Sequence, residues 1–165
     1  MPRTTILTTP RLVLTTWRRA DVGDLLPVHS DPETMRFVRK GRPETRDETE
    51  ELVRVYRREQ AWRGWTKWRL ADHQGNLVGR AGFGDHGRGR ELGYTIRRDL
   101  WGRGLASEIA GGLVQWHREH APMEALWAYA AVENAPSCRV LEKIGFVPDS
   151  DAEHNGMPCH LYRLP

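Results

Sequence analysis

Apolar positions along the chain change period several times, and each change marks an element. Leu12-Val13-Leu14-Thr15-Thr16 is a short β-prone run, and Asp21, with Asp24 three residues on, reads as the N-cap of a helix through about His29. Thr45-Arg46-Asp47-Glu48 forms a capping box, in which the threonine oxygen accepts from the third backbone N–H while the glutamate reaches back. Acids at 47, 48, 50 and 51 followed by Arg54, Arg57 and Arg58 suit the dipole of the helix that starts there. Leu52, Val55, Tyr56 and Trp62 recur at helical spacing, which predicts one buried face on a helix ending near Arg63.

The period then shortens. Residues 66–71 and 76–83 read as strands joined through Asp72-His73-Gln74-Gly75, whose turn chemistry predicts a hairpin. Residues 91–97 follow a glycine-rich turn at 85–89, so three consecutive strands form an antiparallel meander. After Gly104, the positions Leu105, Ile109, Leu113 and Trp116 return to helical spacing until Pro122, which ends the helix near His120. Residues 125–132 are apolar on both faces, as in a strand inside a sheet, and 135–144 read as a helix stopped at Gly145. Two short strands, near Phe146 and around 160–164, complete an α+β fold: a mixed sheet flanked by helices, one domain over residues 1–165.

Composition narrows the partners. A chain of 165 residues and 19.0 kDa can bury one core without disulfide or metal support. No apolar run approaches the ~20 residues of a membrane helix, so no membrane partner is expected. Residues 1–10 are polar and lack a charged-then-apolar leader, which makes the cytoplasm the expected location. Cys138 and Cys159 lack the paired spacing of a zinc site and read as ordinary buried thiols. His117 and His120, without a third ligand, read as surface or helix-end residues, and no metal is expected. A net charge of +3 and a pI near 9.1 raise the question of nucleic acid. Acids and bases interleave, as in Arg57-Arg58-Glu59, so the expectation is a solvated face and no nucleic-acid partner. A locally basic stretch, Arg97-Arg98 through Arg103, would suit an anionic cofactor.

That stretch lies in the most informative segment, residues 91–108, where a strand runs into a glycine-bearing turn that opens a helix. Backbone N–H groups at a helix start are unsatisfied and carry partial positive charge, and Gly102, Gly104 and Ala106 withhold the side chains that would block an anion. A P-loop is excluded, because Arg103 stands between the glycines and no lysine follows. A dinucleotide turn would need glycine where Ser107 stands, and repeated βαβ units in place of a meander.

Residues 91–107 resemble the acetyl-CoA signature of the GNAT family of N-acetyltransferases, with Trp101 where Arg or Gln is common. Trp101-Gly102-Arg103-Gly104-Leu105-Ala106 resembles the branch that contains the ribosomal-protein N-terminal acetyltransferases. Asn134-Ala135-Pro136-Ser137, followed by residues 141–146, resembles the family's next signature, and 9–14 and 30–35 extend the likeness over nearly the whole chain. The resemblance implies a GNAT-like, mostly antiparallel central sheet, acetyl-CoA as donor, and an amine acceptor that is a peptide α-amine or a small-molecule amine. By the same resemblance Tyr94, Thr95 and Ile96 would bond the pantetheine arm as an added strand. Gly102, Arg103, Gly104, Leu105, Ala106 and Ser107 would meet the pyrophosphate, with charge from Arg97, Arg98 or Arg103, and Asn134 would hold the far end of the arm.

Acyl transfer needs a neutral amine, whereas an alkyl ammonium with a pKa of ~10.4 is protonated at neutral pH, so a base must act. Glu91, on the strand leading into the turn, is the candidate; its bland alternative is an exposed strand carboxylate. Ser137 could present a hydroxyl to the leaving thiolate, or merely satisfy backbone donors at a helix start. Some relatives use a carboxylate on the following strand and a tyrosine late in the next helix; the aligned positions here are Tyr129 and Leu141, which closes that route. Gly93 either permits close packing or leaves room for substrate. Trp65, Trp68 and Trp127 suit a core, and Trp62 or Trp101 a cleft. Arg36, Arg39 and Lys40 could attract an acidic peptide, and Asp149, Asp151 and Glu153 a cation. A monomer or homodimer is expected. The alternative reading is a non-catalytic CoA-binding or interaction module, which would keep the turn and lack a base within reach.

Overall fold

The computed structural model describes residues 2–165; Met1, the first residue of the expected domain, lies outside them. The strands are β1 (Thr5–Thr8), β2 (Leu12–Thr15), β3 (Lys67–Asp72), β4 (Leu77–Asp85), β5 (Arg90–Ile96), β6 (Leu126–Ala131), β7 (Val147–His154) and β8 (Met157–Arg163). They form one sheet in the order β1-β2-β3-β4-β5-β6-β8-β7, antiparallel throughout except for β5 and β6. The helices are α1 (Val22–His29), α2 (Pro32–Met35), α3 (Arg46–Arg63), α4 (Leu105–His120) and α5 (Ala135–Lys143). This is the mixed, mostly antiparallel α+β architecture expected.

Strand alternation divides the sheet into two unlike faces. On one, Leu105, Ile109 and Leu113 of α4 and Leu141 of α5 pack over Leu14, Trp68, Leu70, Phe83, Leu92 and Leu126. The other is covered at one end by α1 and α3, where Trp17, Val22, Leu25, Leu52, Val53, Tyr56 and Leu77 make a second cluster. Further along that second face the strands present Lys67, Arg80 and Glu91, and this polar surface becomes a wall of the cleft described below.

Local signals held where the chemistry is local. Thr45 Oγ1 accepts from Glu48 N at 3.2 Å and the Glu48 carboxylate accepts from Thr45 N at 2.8 Å, the capping box as read. Asp21 stands at the N-cap of α1, but its carboxylate gives that helix no side-chain bond and accepts instead from Arg18 N at 2.7 Å and from Arg3 at 2.6 and 2.5 Å. Trp62 is 81% exposed, since the buried stripe of α3 runs through Leu52, Val53 and Tyr56 and then Gln60, which accepts from Trp68 Nε1 at 2.7 Å. His117 is buried, not at the surface: it falls one turn beyond Leu113 on the inward stripe, and its Nε2 lies 2.9 Å from the Glu124 carbonyl oxygen. β1 and α2 are too short for periodicity to reveal. The two short final strands are in fact a long hairpin turning at Asn155-Gly156, with β7 mostly exposed and so without an apolar signal.

Candidate active site

β5 pairs with β4 along its whole length, but with β6 only at Arg90↔Leu126 and Glu91↔Trp127. Beyond those pairs the two strands part, and the β5 edge from Leu92 to Ile96 faces a cleft of about 740 Å³. An unpaired strand edge holds backbone donors and acceptors that a ligand can satisfy as an added strand would. Of the residues expected at a site, Glu91, Tyr94, Thr95, Ile96, Gly102, Gly104, Leu105, Ala106, Ser107, Asn134 and Ser137 all line this one cleft. Arg97 and Arg103 do not. Arg97 is held by Asp99 at 2.6 Å and by the Leu77 carbonyl at 2.8 Å, and Arg98 by Asp31 at 3.1 Å.

The turn that enters α4 has the backbone its glycines allow: Gly102 and Gly104 lie at φ 76 and 77, a region L side chains rarely adopt. Gly104 is the N-cap and supplies no side-chain bond, so the first N–H groups of α4 are left for another acceptor. A Cβ on Gly102 would meet nothing within 4 Å, and one on Gly104 only Arg11 Nη2 at 3.6 Å, so the approach is open and fits an anionic group such as a diphosphate. Trp101 lines the cleft and donates from Nε1 to the Ile96 carbonyl at 2.8 Å, tying the turn to the end of β5. Arg11 braces it from the other side. It donates from Nη1 to the Arg103 carbonyl at 2.8 Å and from Nε to Glu108 at 2.8 Å, and Glu108 also accepts from Thr9 Oγ1 at 2.6 Å. Burial raises the Glu108 pKa, but the Thr9 and Arg11 bonds outweigh it and hold the carboxyl below its ordinary value. Sequence reasoning missed this brace because only the folding of the β1–β2 corner onto α4 creates it.

At the start of α5, Asn134 Oδ1 accepts from Ser137 N at 3.3 Å, so Asn134 is the cap and the Ser137 hydroxyl is released from that duty. That hydroxyl lies 2.9 Å from Tyr94 Oη. Burial pushes the Tyr94 phenol up to about 12, so it stays protonated beside Ser137, and either hydroxyl can donate to the other.

Glu91 Oε1 lies 3.8 Å from Lys67 Nζ, and among the described residues its carboxylate accepts no hydrogen bond. A Cβ on Gly93 would come within 2.8 Å of Lys67 Cε, so that glycine gives space to the lysine beside Glu91. The cleft also holds two residues that the sequence did not single out as its lining. Tyr129 and His154 stack with ring centroids 3.9 Å apart and planes 3° from parallel. Burial pushes the His154 imidazole down while the charge of Glu91 pulls the other way, which places His154 in the field of that carboxylate. Arg36, Arg39 and Lys40 each have a carboxylate partner, in Glu133, Glu44 and Glu48. Trp62 is absent from the lining, and Asp149, Asp151 and Glu153 lie exposed on β7.

Among the described residues no three His, Cys, Asp or Glu side chains gather as a metal would require, and no helix is long and apolar enough to cross a membrane. The chain has a curated relative in the uncharacterized N-acetyltransferase p20 of Bacillus licheniformis, 33% identical over 73 residues, covering 42% of this chain and 41% of that relative. An acetyltransferase from Agrobacterium tumefaciens superposes with a TM-score of 0.83 at 24% identity, covering 100% of this chain and 95% of that one. The RimL ribosomal L7/L12 alpha-N-protein acetyltransferase superposes with a TM-score of 0.82 at 14% identity, covering 99% and 94%. At such identities the two structures speak for the fold. The acetyltransferase (GNAT) domain matches residues 11–147, and by that match, on this fold and around this cleft, the chain belongs to the GNAT acetyltransferase family.

Proposed function

We propose that the chain transfers an acetyl group from acetyl-CoA to a primary amine, a peptide α-amine or a small-molecule amine, in a ternary complex. The observation that carries the reading is the single cleft, which joins an uncapped helix start, an unpaired strand edge, a carboxylate and a hydroxyl. Acetyl-CoA supplies the activated acyl carbon. The β5 edge from Tyr94 to Ile96 orients the arm of that substrate, the N–H groups at the start of α4 hold its phosphates, and Asn134 Nδ2 is free to donate to it. Glu91 takes the proton of the incoming ammonium, directly or through water; the free amine forms its N–C bond as the C–S bond breaks, and the extra proton then on nitrogen passes to the departing sulfur, so that CoA leaves as the thiol. Ser137, oriented by Tyr94, donates to the departing thiolate.

A CoA-binding module without catalysis would have no reason to keep in the cleft a carboxylate that accepts no hydrogen bond and has only Lys67, at 3.8 Å, beside it, which favours the enzyme. The cleft is built from one chain, a single domain over residues 1–165, so a monomer or a homodimer would serve equally. The likeness in fold to the RimL enzyme supports a peptide α-amine as acceptor. An acceptor screen that reads CoA release is the test. Turnover is expected with peptide N-termini in preference to polyamines or aminoglycosides. No release with any amine, despite acetyl-CoA binding, would leave the module reading standing.

A further inference from the structure

One set of buried polar groups beside the cleft has no part in the transfer as proposed. His29, the last residue of α1, and Glu44, just before α3, are both buried, and His29 Nδ1 lies 2.8 Å from Glu44 Oε1. Arg80, on β4, is 2% exposed and donates from Nε to His29 Nε2 at 3.1 Å. A guanidinium only donates, so Nε2 must accept, and the ring is therefore neutral with its proton on Nδ1, given to Glu44. Burial agrees, pushing the imidazole down to about 4, with the charge of Arg80 acting in the same direction. The other Glu44 oxygen accepts from Arg39 Nε at 3.0 Å.

The charges do not balance. One carboxylate serves two guanidiniums; Arg39 touches it directly, while a neutral ring separates Arg80 from it. Among the described residues Arg80 has no ion-pair partner, and its terminal nitrogens donate to no protein atom. The Tyr56 ring, 6.0 Å from the guanidinium carbon, and the neutral imidazole offer it no full negative charge, which is costly for a cation buried this deeply; Arg80 forms part of the cleft wall, so an anionic partner can come from the cleft. It projects from the same face of the sheet as Glu91, away from α4 and its phosphate-binding turn. The position therefore suits the acceptor better than the donor.

We propose that Arg80 receives an anionic group carried by the acceptor, a carboxylate set several bonds from the amine to be acetylated. The proposal rests on the transfer reading above. Arg80 pairs with Thr95 across the strands, and Glu91 lies four residues along β5 from Thr95, about 13 Å at ~3.3 Å per residue before the side chains reach inward. The α-carboxylate of an ordinary amino acid lies too near its own amine for that span. An acidic side chain at the second or third position of a peptide, or the far carboxylate of an ω-amino acid, can reach.

Binding of acetylated products in the presence of CoA tests this without needing turnover. The probes are N-acetylated hexapeptides with Asp or Asn at positions two and three, and an N-acetylated ω-amino acid beside its amide, titrated by calorimetry into wild type and Arg80→Gln. Wild type should bind the Asp peptide at least about tenfold more tightly than the Asn peptide, the scale of a charge-assisted hydrogen bond. Arg80→Gln should erase the difference while leaving acetyl-CoA affinity within about twofold. The same preference for the ω-amino acid over its amide would identify a small molecule as the source of the carboxylate. Equal affinity for acid and amide in wild type, no binding of either, or a loss of acetyl-CoA affinity in Arg80→Gln would overturn the assignment. Should Arg80→Gln not fold, the wild-type comparison still decides, and Arg80→Lys, which keeps the charge, should retain part of the preference. Absence of turnover with any amine alongside a clear acid preference would fault the transfer reading alone.

Discussion

Glu91 and Ser137 reach the cleft from different elements, and each is set by a partner of its own. Beside Glu91 stands Lys67, at 3.8 Å, in the space Gly93 leaves. Replacing Glu91 by Gln should preserve acetyl-CoA affinity and lower turnover ~100-fold, a usual loss for a general base. The deficit should shrink as pH rises toward the amine pKa, because solution then supplies the free amine. Initial rates against pH at saturating acetyl-CoA check this, and unchanged turnover in a folded variant would reject the assignment. For Ser137 the partner is Tyr94, at 2.9 Å. Ser137→Ala should slow the chemistry without weakening acetyl-CoA binding, and Tyr94→Phe should have a smaller effect in the same direction, since it removes only the group that orients the serine. Equal binding losses in both variants would instead make the pair part of the cofactor wall.

At the scale of elements, the entry to α4 is a turn made by glycine and held by a strand corner. Gly104→Val places a β-branched side chain at φ 77 in the mouth of the anion site, and acetyl-CoA affinity should fall strongly by calorimetry. Near-normal affinity in a folded variant would remove the turn from the cofactor site. The brace predicts a milder result. Glu108→Gln keeps the shape but loses the charge that anchors Arg11, and acetyl-CoA Kd should rise about fivefold, the equivalent of one net hydrogen bond of about 1 kcal/mol. The rate constant at saturation should stay near that of wild type, because the brace touches no reacting atom.

For the molecule as a whole, the buried His29 makes stability depend on pH. An unfolded imidazole gains its proton as pH falls through 6.5, whereas the folded one resists until about 4, so the unfolded state binds more protons between those values. Stability should therefore fall as pH falls through that window, by about 3 kcal/mol from this residue. Glu44 adds to the trend at its lower end. Burial raises its pKa, but His29 and Arg39 more than offset that, so stability present above the ordinary carboxylate range is lost on further acidification. Thermal melts from pH 7.5 to 4.5 should show the decline, with His29→Gln starting lower at pH 7.5 and losing less. Parallel slopes for the two proteins would mean that the imidazole is not held neutral.

What the chain determined by itself was whatever depends on neighbours in sequence. The capping box at Thr45, the glycine turn at 102–104, the stop at Pro122 and the helix stop at Gly145 are legible because the residues that make them lie within a few positions of one another. Apolar period likewise revealed the middle strands and α4, and the motif residues other than Arg97 and Arg103 line a single cleft. Tertiary structure alone decided how the polar groups pair. Arg11 meets Glu108 across 97 residues, Arg80 meets His29 across 51, and Tyr94 meets Ser137 across 43, and no local pattern announces such encounters. The cleft itself belongs to the same class, since it exists only because β5 and β6 pair at two positions and then part. Sequence separation costs chain entropy that only the assembled core offsets, so these contacts, and the charge they leave facing the cleft, are properties of the folded molecule.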